Sequence, residues 1–496
     1  MLVTFAPGAS AQGTEINDDR PNVVVIMFDQ LRYDVFSHRN NEVVKTPHID
    51  RLAAEGVVFN QATCTSPVCG PSRAAMLSGC YAYDGKYITR NRELDQPSPF
   101  VFPIKTVDEL LDENGYHVEY RGKWHCGNKH LDVYKSREHI FGHKLDSYTE
   151  YLEGKGYKRN TGKGYLRDSY TKWTYKAWDV DHMIGKGPRD PDYWIGHSSQ
   201  AGIIEVADED TLTAWTAQKT IDFLDSAPKG PFSITCSILH PHGPVIPNET
   251  YANMFKPEDM PLPKNMYSSR APRFGKKAPI PEKITHEGVQ QFTALYYALV
   301  KECDDMVGKV LEALERNGLT KNTLVIFTAD HGEFLGSHND FGKGEFYEEA
   351  FRVPLIMRYP KEIKPGTKSD SIATGADMAP TILDYCNVPK PEWVHGRSLR
   401  EVINGGNDPV EYAYGQIRNE QCLRSTEWKF AVNNGQPILF FDLVNDPLEM
   451  KNLIDNPSKM SSKAKAKMEE MRSILQAKYK MVPERRGSAG ARNANN

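Results

Sequence analysis

Three continuous apolar runs constrain most strongly what this chain can fold into: "NVVVIMF" ending at Phe28, "FSITCSIL" ending at Leu239 and "TLVIFTA" ending at Ala329. A strand with one wet face alternates apolar and polar residues. These runs do not alternate, so both of their faces are covered, and they read as buried strands of a parallel sheet. Each run ends in polar chemistry: Asp29-Gln30, then His240-Pro241-His242, then Asp330-His331. Open α/β sheets bind ligands beyond the carboxyl ends of their strands, so the three ends are expected to converge on one crevice.

Helical patterns separate the runs. "TPHIDRLAAEG" (46–56) and "TVDELLDENGY" (106–116) each start on threonine and stop on glycine, and "FTALYYALVKECDDMVGKVLEALERNGL" (292–319) repeats apolar residues every three or four positions. The expected fold is α/β, a large mixed, mostly parallel sheet flanked by helices over residues 20–405. Beyond it, "CLRSTEWKFAVN" and "PILFFDLVNDPLEMKNL" read as short antiparallel strands, and an amphipathic helix is expected near 458–479. Together they suggest a smaller C-terminal α+β unit over 406–482. Residues 126–205 are rich in Lys, Tyr, Trp, Gly and Asp and poor in aliphatics, so they read as an insertion lying over the main sheet. Its rings and cations suit a sulfated sugar, and they equally suit a surface segment held by tyrosine packing. The tail 483–496 has the composition of a disordered segment.

Lys+Arg 61 against Asp+Glu 65 leaves a net charge of -4, with no global basic field to recommend nucleic acid as a partner. No apolar run approaches the roughly 18 residues of a membrane span. The 8 cysteines form neither a disulfide framework nor a zinc pattern. At the start, Ala9-Ser10-Ala11 follows a short apolar stretch, as at the end of a secretory signal without its basic region. Residues 1–19 therefore read as a signal remnant or a disordered tail, and the first reading implies a periplasmic or extracellular protein.

One stretch concentrates the chemistry. In "TSPVCGPSRAAMLSGC" (65–80), Pro71 suits the first turn of a helix and Gly79 its stop. Cys69 then sits at the helix mouth beside unpaired backbone N–H groups, with Arg73 one turn in. An anion is favoured there, and a thiol there has a lowered pKa. Physics alone weighs Cys69 as a functional thiol against a plain core cysteine.

"CGPSR" resembles the C-x-P-S-R signature of the type I sulfatases, in the alkaline phosphatase superfamily. "RPNVVVIMFDQ", "TPHIDRLAAEGVVF", "GKWH", "PHGP", "FTADHGEFLGSH", "GKGEFYEEAFRVPLI" and "FFDLVNDPLEMKNL" fall in the family's order around it, over roughly residues 20–455. The resemblance implies an alkaline-phosphatase-like fold and a sulfuric ester hydrolase. It also implies that a maturation enzyme oxidises Cys69 to Cα-formylglycine (3-oxoalanine), whose hydrated aldehyde is the nucleophile. Asp29, Gln30, the modified Cys69, Asp330 and His331 would hold a divalent cation, Ca²⁺ before Mg²⁺ or Mn²⁺. Arg73 and the cation would hold the nucleophile, while Lys123 and Lys343 neutralise the sulfate oxygens. His242 would protonate the leaving alcohol, and His125 would take a proton from the second hydroxyl to release sulfate.

Two positions depart from the commonest pattern: Gln30 stands where many members have Asp, and His331 where many have Asn. An Asp-His pair also occurs in choline-sulfatase-like and phosphonate-monoester-hydrolase-like members. The expected substrate is a sulfated polysaccharide or its oligosaccharides. The rivals are a phosphonate monoester or phosphodiester, a small ester of the choline sulfate kind, and a non-enzymatic sulfated-glycan binder with unmodified Cys69. His338 and Asp340 read as groups behind the ligands or facing substrate, and Asp50 and Arg51 as helix-capping and solvating residues.

Overall fold

The computed structural model describes residues 19–81, 104–126, 130–137, 146–157, 201–226, 228–268 and 285–479, together with short strands at 89–90, 100–101, 140–141 and 175–177. The expectations for residues 1–18, for the tail beyond 479 and for most of the 126–205 insertion lie outside the described residues.

The main sheet is built from β1 (Asn22–Asp29), β2 (Val57–Thr63), β3 (His117–Lys123), β4 (Ile140–Phe141), β5 (Phe232–Pro241), β6 (Thr323–Ala329), β7 (Leu355–Arg358) and β8 (Thr367–Thr374). Their order is β8-β2-β7-β6-β1-β5-β3-β4. The strands pair in parallel except β7, which runs against both β6 and β2. The three apolar runs are the adjacent strands β6, β1 and β5, buried at every position. Phe28 lies opposite Ala329 on one side and Ile238 on the other, so the carboxyl ends are level. That register brings the polar residues after each run together.

Two groups of helices cover the sheet. α1 (Pro47–Glu55) and α4 (Leu212–Asp225) both pack on the long α5 (His286–Arg316). α2 (Cys69–Ser78) and α3 (Val107–Glu113) pack with α6 (Met378–Tyr385). Strand β3 touches both α4 and α3. Thr106 closes a capping box with Glu109 at the start of α3, as the threonine there suggested. The start of α1 differs. Thr46 makes no side-chain cap, and Asp304 of α5 instead accepts from the N–H groups of His48 (3.1 Å) and Ile49 (2.8 Å). Asp50 accepts from the His38 backbone and ring. The cap is tertiary, which local sequence does not reveal.

The C-terminal strands β9 (Ala413–Ile417), β10 (Glu420–Arg424), β11 (Trp428–Asn433) and β12 (Gln436–Asp442) form an antiparallel meander. Helix α7 (Ser462–Lys478) packs on β10 and β11 and buries Met471 and Leu475 in a second core with Tyr414, Phe430 and Phe440. Among the described residues no helix is long and apolar enough to cross a membrane.

Buried charge joins the two sheets. Glu348 accepts two bonds from Arg424 (2.8 and 2.7 Å) and pairs with Lys429 at 2.7 Å, and Lys429 also meets Glu449 at 2.7 Å. Removing one partner of such a set strands the others in the interior. Lys429→Met is therefore expected to cost about 3–5 kcal/mol, read as a lower urea midpoint. A loss well under 1 kcal/mol would mean that water or rearrangement already serves these carboxylates.

Candidate active site

Helix α2 begins where the level strand ends meet, and its Cys69 is buried. One turn on, Arg73 is fully enclosed. Its Nε donates to Asp330 (2.7 Å), its Nη2 to Asp29 (3.2 Å), and its Nη1 to the Lys123 carbonyl (2.6 Å) and to Ser237 (2.7 Å). Burial opposes the charge on Arg73, but Asp330 and Asp29 outweigh it and raise its pKa. The ends of β1, β6, β3 and β5 are thus gathered by one guanidinium.

The Lys123 carbonyl also accepts from Tyr120 and Ser237, both at 2.7 Å. Gly122 allows the close approach of β3 to β5: its φ is +94°, and a Cβ there would lie 1.9 Å from the Ser237 carbonyl oxygen. The Lys123 ammonium pairs with Asp29.

The Cys69 sulfur lies 3.1 Å from His331 Nε2, 3.2 Å from Lys343 Nζ, 3.5 Å from Asp29 Oδ1 and 3.7 Å from Lys123 Nζ. Burial pushes the thiol pKa up, yet Lys123, Lys343 and His331, and after them His125, hold it well below its ordinary value. His331 Nδ1 faces the Gly332 carbonyl at 2.9 Å. A carbonyl only accepts, so Nδ1 carries the proton and Nε2 is presented to the cluster.

Asp29 and Asp330 behave as a strained pair. Burial and Cys69 push Asp29 up, but Lys123, His242 and Arg73 outweigh them and hold it low. Asp330 is pushed up by burial and then by Asp29. Positive charge between them is therefore still in demand. Asp29, Cys69, Asp330 and His331, all buried, each offer one donor atom, and these atoms lie within 4.8 Å of one another. Two carboxylates and an imidazole whose Nε2 faces them suit a divalent cation, which would take the place of the proton that Asp330 and Cys69 favour on that nitrogen.

The remaining expected residues border this cluster. Gln30 donates its N–H to Asp330 (3.1 Å), and its amide oxygen accepts from Lys343 (2.7 Å). Lys343 lies between Gly342 (φ +88°) and Gly344 (φ +108°). His242 Nδ1 meets the Gly243 carbonyl at 2.6 Å, leaving Nε2 3.9 Å from Asp29. Burial, then Lys343 and Lys123, push the His242 pKa down to about 4. At neutral pH its Nε2 is unprotonated in the resting protein. His125, half-buried with φ +60°, is near enough to Cys69 to help lower its thiol pKa.

His240 turns away from the cluster to Thr213 (2.7 Å). His338 is buried against Asn265 (3.0 Å) and Ser268 (2.6 Å), behind the site rather than in it. Sequence reasoning missed Ser237, Tyr120 and Glu333. Glu333 accepts from the Gln30 side chain and lies three residues after Asp330 in "DHGEF", the one local signal that could have found it.

A family model described as Sulfatase matches residues 21–388, and one described as N-sulphoglucosamine sulphohydrolase, C-terminal, matches residues 336–476. The chain is 30% identical over 487 residues to an arylsulfatase of Clostridium perfringens, covering 92% of this chain and 94% of that protein. It is 29% identical over 455 residues to an ulvan-active sulfatase of Formosa agariphila, covering 88% and 78%. The phosphonate monoester hydrolase of Agrobacterium radiobacter has a similar fold, with a TM-score of 0.72 at 23% identity over 93% of this chain and 96% of that one.

Cation binding should be visible as stabilisation, because a ligand held only by the folded state raises the melting temperature. Ca²⁺ is expected to raise the midpoint of the full chain, and Asp330→Asn is expected to abolish most of that rise. An undiminished rise in Asp330→Asn would place the cation elsewhere.

Proposed function

The chain belongs to the sulfatase family and is a sulfuric ester hydrolase; from that premise we propose that it desulfates a sulfated polysaccharide or its oligosaccharides, with Cys69 converted to formylglycine beside Ca²⁺. The observation that carries the chemistry is the set of groups focused on position 69: Lys123, Lys343, His331 and His125 all act on its sulfur. A core thiol has no use for such neighbours, whereas an anion and a nucleophile that must carry negative charge both do. The substrate reading is supported by the ulvan-active relative and by the sulfoglucosamine hydrolase model over the C-terminal part.

Asp29, Asp330, His331 and residue 69 would hold the cation, with the Gln30 amide oxygen at its edge. When bound, the cation would supply Lewis-acid charge and the formylglycine an oxygen nucleophile with a second hydroxyl. The chain's own residues do the rest. Lys343 and Lys123 meet the sulfate oxygens, and Arg73 keeps both carboxylates in place from behind. His242 is held by its Nδ1–H, and its Nε2 is the atom that passes a proton to the leaving alcohol oxygen. Its low resting pKa comes from burial and the two lysines, and an arriving sulfate ester offsets the lysine part. His125, which already acts on position 69, takes the proton whose loss lets sulfate depart.

The partner implied is a formylglycine-generating enzyme, and the location is the periplasm or the outside of the cell, where such polymers are met. The Asp330-His331 pair, found in choline-sulfatase-like and phosphonate-monoester-hydrolase-like members alike, keeps a phosphorus ester as the rival to test.

Sulfate release decides between them. The chain would be co-expressed with a formylglycine-generating enzyme, supplied with Ca²⁺, and tested on sulfated polysaccharides, their oligosaccharides and choline sulfate beside Cys69→Ala. Release from a glycan, lost in Cys69→Ala, is expected. Lys343→Ala should lower kcat/KM by about 10²–10³-fold, the usual loss for one charge-stabilising group. Faster turnover of a phosphate or phosphonate ester of the same alcohol would overturn the reading.

A further inference from the structure

We propose that Glu333 is a positioning residue that decides which end of the Gln30 amide faces the cation cradle and Lys343. Glu333 is fully buried, and the three groups hydrogen-bonded to its carboxyl oxygens are all N–H donors, so both oxygens act as acceptors. Its Oε1 takes the N–H groups of Leu335 (3.1 Å) and Gly342, and its Oε2 takes the Gln30 amide Nε2. Once Nε2 is committed to Glu333, Oε1 must point the other way. There it accepts from Lys343 at 2.7 Å, and the same ammonium lies 3.2 Å from the Cys69 sulfur.

The two ends of a glutamine amide have almost the same shape, so packing alone does not choose between them. A flipped Gln30 would turn its NH₂ towards the Lys343 ammonium and the cradle, setting donor against cation. Glu333 makes that orientation costly. The backbone of Gln30 is pinned as well, by Asp330 on its N–H and by Tyr296 on its carbonyl (2.7 Å), at a φ of +65°. A non-glycine residue holds that conformation only where its surroundings fix it. Through Gly342 the same carboxylate also fixes the backbone next to Lys343. Glu333 thus reaches the site by way of Gln30 and Lys343 and touches no reacting atom.

This rests on the cradle reading given above, and the experiment separates the two. Ca²⁺ affinity of the full chain would be measured by calorimetry for the wild type, Glu333→Gln, Gln30→Ala and the double variant. Groups that hold metal ligands in place are worth about 10–100-fold in affinity. Glu333→Gln is expected to weaken Ca²⁺ by about tenfold, in the lower part of that range. In the Gln30→Ala background the same change should then cost little, because there is no amide left to orient. An undiminished loss there would show that Glu333 acts through its charge alone and would overturn the proposal, as would no loss in the single variant. Should Glu333→Gln not fold, Glu333→Asp, which draws the carboxylate back from Gln30, takes its place in the cycle. A wild type that takes up no Ca²⁺ would sink the cradle reading instead. The cycle would then be read on inorganic sulfate as the probe of Lys343, with the same expected and overturning results.

Discussion

The structure turns on the buried guanidinium of Arg73. Taking its charge and those of Asp29 and Asp330 out of water costs several kcal/mol for each, and only close, well-directed bonds offset that cost. The geometry meets the condition, with Arg73 donating to both carboxylates, to the Lys123 carbonyl and to Ser237. Strands β1, β3, β5 and β6 and helix α2 are thereby fixed to one another at the level where their chemistry emerges. Cys69, one turn before Arg73, is placed by the same bonds. The arrangement that is costly for folding is what fixes the position of Cys69.

Around that position the charges are deliberately unbalanced. Lys123 and Lys343 close on a thiol held far below its usual pKa, while Asp330 is pushed up by burial and by Asp29. Two carboxylates facing each other behind a set of cations lower the cost of a divalent ion and of an anionic ester together. His242 belongs to the same field. Burial first, and then the two lysines, push its imidazole pKa down to about 4 in the resting protein.

Much of this was legible because parallel strands leave a plain mark. Asn22–Asp29, Phe232–Pro241 and Thr323–Ala329 read as unbroken apolar runs because both their faces are buried, and polar residues at their ends could only stand at a sheet edge. The threonine start of α3 was equally local. What could not be read depends on partners far away in sequence. Asp304 caps α1 from 255 residues away. The reversed strand β7 carries nothing in "LIMR" that gives its direction. Glu333 and Ser237 look like ordinary polar residues until Gln30 and Arg73 are beside them. His240, one of two histidines in the same short motif, turns to Thr213 because the end of β5 presents them differently.

The place of the C-terminal sheet follows from where the Lys343 segment is tied. At its near end Glu333 accepts from the backbone of Gly342 and from Gln30, inside the site. At its far end Glu348 is gripped by Arg424 and Lys429 of β10 and β11, and its backbone N–H donates to Glu449 at 2.7 Å. Glycines with positive φ on both sides of Lys343 let the backbone turn there. Two of the groups that hold the segment are buried carboxylates, one belonging to the site and one joined to the second sheet. The antiparallel sheet therefore contributes to the site without reaching it, by holding the end of the segment that carries Lys343 to the sulfur of Cys69.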